Sequence, residues 1–180
     1  MNNKERDFKE IFSSQFISLI GGIFAGTILA VYTNNLLLIP GMLILLPGFL
    51  EMRGGISGSL AARITSGMFL GFIKPNKIKT KIIKGNIIAS FILVIIVSLF
   101  LGVLAYFFTL IIFDTSFPKI IIYSLLAALI ANIIEIPLTL FFTFYLFKKG
   151  YDPDNIMGPF VTTTGDITSI ISLLVVIMTI

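Results

Sequence analysis

The sequence predicts an all-α membrane protein with five transmembrane helices per subunit, the second of them broken. Three observations predict it. Of 180 residues, 57% are apolar and only 12% are charged, against about 25% charged in a soluble chain. The mean hydropathy is +1.05. The charges that do occur leave long stretches empty and collect between them.

Residues 11–50 carry no charge, which is room for two passes at about 20 residues each. The Asn34-Asn35 pair marks the expected turn between them. The second pass runs on to about residue 72, too far for one straight helix, so it is expected to be broken or strongly tilted, with Pro47-Gly48 and Gly54-Gly55 as the places for a break. Residues 85–113 form the third pass. Residues 120–147, with Glu135 as their one charge, form the fourth. Residues 156–180, with Asp166 as theirs, form the fifth. Residues 1–10 are expected as a short cytoplasmic lead lying at the interface, and residues 11–180 as the transmembrane domain. The first pass is too long for a signal peptide and has no small-x-small cleavage site.

The loops sort by charge. Lys4, Arg6, Lys9, Lys74, Lys77, Lys79, Lys81, Lys84, Lys148 and Lys149 fall on one side, and Lys119 alone on the other. By the positive-inside rule the N-terminus is cytoplasmic, the C-terminus is outside, and the membrane is the plasma membrane. The net charge of +4 comes from these flanking residues and does not point to nucleic acid.

The chain has no Cys, His or Trp. Thiolate and imidazole metal sites, disulfides, and Ser-His-Asp or Cys-His catalysis are thereby excluded within it. Oxygen ligands remain, and these suit hard cations. An ionisable group at membrane depth is costly and marks function or a buried pair. Five are present: Glu51, Arg53, Arg63, Glu135 and Asp166. Asp166 sits near the middle of its pass. Helical spacing puts Asn155, Thr162 and Ser169 on its face, with Thr163 beside it. Gly165 lets another backbone or a hydrated ion approach. Glu135 shares a face with Asn132 and Thr139, and Pro137 frees a carbonyl near Ile133. Glu51 and Arg53, two residues apart, do not face each other on a regular helix. The arginines are expected to neutralise carboxylates and pin the break. Small residues recur at Gly54, Gly58, Ala62 and Ser66, and at Gly22 and Gly26, as on closely packed helix faces.

Two stretches carry a resemblance. One runs from Pro47-Gly48 through Glu51-Met52-Arg53-Gly54-Gly55 to Ser57-Gly58. The other is Asp152-Pro153-Asp154-Asn155, then Pro159 and Thr162-Thr163-Thr164-Gly165-Asp166. In order and separation they resemble the transmembrane domain of the MgtE-type magnesium transporter family. Gly85-Asn86 after the lysine loop fits as well. The likeness covers roughly residues 11–178. It is nearest the short stand-alone branch related to eukaryotic magnesium solute carriers. The resemblance implies a homodimer of five-helix subunits, embedded in membrane lipid, with a cation path along the dimer interface. It implies Mg²⁺ as the transported ion, no organic cofactor and no enzymatic activity. The position matching the family's central aspartate is Asp166. Thr162, Thr163 and Asn155 would orient ligands or waters, and Glu135 and Glu51 would line the path.

The chain departs from the bacterial pattern Gly-Asn-x-Gly-x-Gln. Here the stretch is Gly55-Ile56-Ser57-Gly58-Ser59-Leu60, so polar lining would fall to Ser57, Ser59 or Glu51. Only about ten residues precede the first pass, so a cytoplasmic Mg²⁺ sensor is expected to be absent or supplied by another chain. Other readings stay open at this point. Glu135 and Arg63 could couple Mg²⁺ movement to Na⁺ or H⁺, or the chain could be a non-transporting scaffold. An intramembrane aspartyl protease fits poorly, because Asp152 and Asp166 are fourteen residues apart, about 21 Å of helix.

Overall fold

A computed structural model describes residues 3–77 and 79–180. Met1 and Asn2 of the expected lead, and Ile78 of the lysine loop, lie outside the described residues. The chain forms α1 (Asn3–Val31), α2 (Thr33–Leu37), α3 (Met42–Phe69), α4 (Lys81–Phe113), α5 (Lys119–Lys148) and α6 (Pro153–Thr179). Four of these, α1, α4, α5 and α6, are long and apolar enough to cross a membrane. Helix α3 has 28 residues, about 42 Å of helix, but carries Glu51, Arg53 and Arg63 within it.

Two expectations need correction. Helix α3 is continuous from Met42 to Phe69, so the second long helix is not broken at Pro47-Gly48 or Gly54-Gly55. Pro47 is the sixth residue of the helix. A proline there removes one intrahelical hydrogen bond, the one its N–H would make to the carbonyl of Leu43, and the helix continues through it, as α5 does through Pro137. The reversal after α1 is also displaced. Asn34 and Asn35 lie inside the short helix α2. The chain turns instead at Pro40-Gly41, where Gly41 has φ +81°. A Cβ there would collide with the Thr109 hydroxyl, so glycine is required by backbone and by space.

The other ends have local causes. The Thr80 hydroxyl accepts from the Ile83 N–H at 3.3 Å and caps α4. Asp152 caps α6, accepting from the Asp154 N–H at 3.0 Å, and Pro153 supplies the first turn. Helix α4 ends at Asp114 and α5 at Gly150, both in the left-handed region. The charged lead is not a separate element, because α1 runs unbroken from Asn3.

Helix α3 packs against α4, α5 and α6. Helix α6 packs against α1, α3 and α5. Among the helices, α1 packs against α2 and α6, and it is the most exposed of the four long apolar ones, as a peripheral, lipid-facing element would be. It is tied to α6 by hydroxyls. Pro159 has no N–H for the carbonyl of Asn155, and the Ser14 hydroxyl donates to that carbonyl at 3.1 Å. A Cβ at Gly21 would run into the Thr163 methyl, so α1 approaches as closely as a glycine permits.

Two apolar parts make up most of the interior, beside a smaller one of Ala61, Met157 and Val161. One is built on Leu45, Phe49, Ile120, Ala127 and Leu173. The other is built on Leu60, Ile64, Ile83 and Ile136. Between them α3 and α5 bury Arg53, Ser57, Asn132, Glu135 and Thr139.

Candidate functional site

Helix α6 sorts its residues by rows of four, the ridges by which helices pack. Met157, Val161, Gly165 and Ser169 are buried. Asp154, Gly158 and Thr162 are exposed, and Asp166, next on that row, is half-buried. Asn155, Pro159 and Thr163 face α1. Thr164 and Thr168 face α5 and its Glu135.

Helix α3 sorts in the same way. Phe49, Arg53, Ser57, Ala61 and Thr65 are buried, and Pro47, Glu51, Gly55, Ser59 and Arg63 are all exposed. The two helices run antiparallel. The Cβ of Arg53 lies beside Gly165, Gly54 beside Thr162, Gly58 beside Val161 and Thr65 beside Asp154. By that register Glu51 and Asp166 stand at about the same level. One chain therefore presents a polar strip along the two helices: Glu51, Ser59 and Arg63 from α3, and Asp154, Thr162 and Asp166 from α6. Gly55 within it has open space around its position and leaves room for whatever lies against the strip. Ser59 and Thr162 donate to carbonyls of their own helices, at 2.7 and 3.1 Å. Their lone pairs stay available as acceptors, which suits a cation or its water shell.

The seven residues expected to hold metal are thus distributed over three places. Asp166, Thr162 and Glu51 share the strip. Asn155 and Thr163 are engaged with α1. The Asn155 amide donates to Glu10 at 3.1 Å, and the Thr163 and Ser18 hydroxyls lie 2.6 Å apart. Glu135 and Ser57 are wholly buried inside the bundle. Among the described residues no three acidic side chains come together to hold a metal. The strip of one chain offers one carboxylate from α3, Glu51, and two from α6, Asp154 and Asp166.

Behind the strip lies an arrangement that spacing along one helix does not reveal. Arg53 and Glu135 are both fully buried and interact electrostatically. Glu135 accepts from the Thr164 hydroxyl at 2.8 Å and from Thr168 at 3.4 Å. The three guanidinium nitrogens of Arg53 have no hydrogen-bond partner among the protein atoms. Glu135 ties α5 to α6, on the side of α6 away from Asp166, and Arg53 of α3 lies near it. The sequence held a clue in the two-residue step from Glu51 to Arg53, which sends the side chains to opposite faces. It held another in the Thr164/Thr168 step of four. It did not hold the meeting of Arg53 with Glu135. Asp154, on the row that leads to Asp166, was legible by the same step of four but was not singled out.

Among curated proteins and among solved structures, nothing matches the chain significantly. Comparison with protein families matches residues 46–176 to MgtE, described as a divalent cation transporter. The match runs from the start of α3 to the end of α6 and takes in both halves of the polar strip. The chain belongs to the MgtE family of divalent cation transporters and is a multi-pass membrane protein.

Proposed function

We propose that the transported ion is Mg²⁺ and that it passes, largely hydrated, along the strip of Glu51, Ser59, Thr162 and Asp166. The observation that carries this reading is the exposure of carboxylates at membrane depth in a single chain. Facing lipid, such groups would be costly. Facing the same strip of a second copy across a two-fold axis, they would line a water-filled seam with two Asp166 carboxylates at its centre. Mg²⁺ gives up its water reluctantly and is commonly held by one or two carboxylates plus waters. Helix α3 then counts as the fifth pass, its polar side against the seam. The lysine-rich loops support a cytoplasmic N-terminus, and a plasma-membrane location is part of the same reading.

In this reading Arg53 and Glu135 are not ligands. They hold α6 from behind, so that Asp166 keeps its place on the strip. The test is Mg²⁺ uptake into liposomes that hold an Mg²⁺-sensitive dye, wild type beside Asp166→Asn. Wild-type uptake should saturate. In the variant it should fall by about tenfold or more, since metal sites lose 10–100-fold even when a supporting group is removed. Equal uptake and saturation in the two would overturn the assignment.

A coupled exchanger is the second reading, and the proton inventory around Glu135 favours it. The Thr164 hydroxyl has one proton and two acceptors, Glu135 and the Phe160 carbonyl, each at 2.8 Å. Glu135 can therefore accept from Thr164 when ionised or donate to it when protonated. Mg²⁺ flux driven uphill by an imposed proton gradient, and lost in Glu135→Gln, would establish coupling. Flux that follows only the Mg²⁺ gradient and voltage would remove it.

A further inference from the structure

On the lysine-rich side, the first turns of α1 and the α5–α6 turn enclose a cleft of about 520 Å³. Arg6, Lys9 and Lys149 line it, with Ser13 and Tyr151. Glu10 is the one acidic group in its wall, and that carboxylate is already engaged. It accepts from Arg6 at 3.1 Å, from the Asp152 N–H at 3.3 Å and from Asn155 at 3.1 Å. The lining therefore carries three basic side chains and one acidic one, Glu10, which is paired with Arg6. Arg6 is fixed at its rim, donating to the Gly150 carbonyl at 2.8 Å as well, and its side chain is still 48% exposed.

The cleft does not end at the polar level. Ser14, Ile17 and Ile156 are shared with a second cavity of about 220 Å³, which continues between α1 and α6 along Pro159 and Phe160. A basic mouth at the membrane surface thus opens into an apolar groove at acyl-chain depth. Phospholipids have this order of chemistry along their length, a charged phosphate followed by hydrocarbon. We propose that the two cavities together form a binding site for an anionic phospholipid. Its phosphate would lie among Arg6, Lys9 and Lys149, and one acyl chain along Ile17, Ile156 and Phe160. The charge of the mouth selects an anionic head over a zwitterionic one. The groove selects a lipid over a soluble phosphate. A lipid seated there would bridge α1 to α6, the helix that carries Asp166.

The test uses the purified full chain, with native mass spectrometry reading lipid retention. The probes are phosphatidylglycerol and phosphatidylcholine with the same acyl chains. Wild type should retain phosphatidylglycerol preferentially. Lys149→Gln should lower that preference about fivefold, the effect of one basic residue near a membrane surface. Lys81→Gln, in the other basic loop, should leave it unchanged. Ile156→Trp fills the groove without touching a charge and should also weaken retention. Equal retention of the two lipids would overturn the proposal. So would equal losses in Lys149→Gln and Lys81→Gln, or unchanged retention in Ile156→Trp. Displacement by millimolar inorganic phosphate as effective as by added phosphatidylglycerol would reassign the mouth to a soluble anion.

Discussion

Arg53 is the residue whose replacement tells most about the interior. Its side chain is fully buried between α3, α5 and α6, near the equally buried Glu135. Removing one member of a buried pair leaves an uncompensated charge and costs about 3–5 kcal/mol, whereas replacing both is often neutral. Arg53→Met should therefore lower the thermal stability of the detergent-solubilised protein sharply. The double variant Arg53→Met/Glu135→Gln should recover most of the loss. Additive losses in the double variant would show that the two charges do not compensate each other. The individual ionisable residues were legible in the sequence because each interrupts an apolar run. The pairing was not, because 82 positions separate the two residues and only tertiary packing brings them together. The face of Asn155 was also misread. Eleven residues from Asp166, it stands within about 20° of it on an ideal helix. Neighbouring helices follow inclined rows of four, and its row is the one that meets α1.

At the scale of elements, the contact between α4 and α5 depends on Gly102. A Cβ there would lie 2.8 Å from the backbone Cα of Ile121 and 3.2 Å from Ser124 Cβ. Backbone cannot step aside as a side-chain tip can. Gly102→Ala should thus force the helices apart and cost about 1–3 kcal/mol, read as a lower midpoint of thermal unfolding. Gly22→Ala, with open space around its position, should leave the midpoint in place. If the two behaved alike, close approach at Gly102 would not hold these helices. The limits of α4, α5 and α6 were legible to within a few residues, because charges, Thr80, Pro118 and Asp152-Pro153 mark them. The continuity of α3 was not. Proline and paired glycines look the same in a sequence whether they break a helix or let a neighbour come close. Gly54 and Gly58 do the latter, against Thr162 and Val161.

The whole molecule is a helical bundle with apolar outer faces, a buried Arg53 and Glu135, and an exposed polar strip shared by α3 and α6. Apolar side chains cover the outside of α1 and α4, as lipid requires. In the proposed reading the strip is the wall of an ion path closed by a second copy. The absence of cysteine makes it directly testable. A single thiol placed by Thr162→Cys would stand on the strip. In membranes, a charged, water-soluble thiol reagent should modify it and block Mg²⁺ uptake, and Mg²⁺ should slow the modification. A thiol at that position that the reagent cannot reach, or one that reacts at the same rate with and without Mg²⁺, would contradict the account.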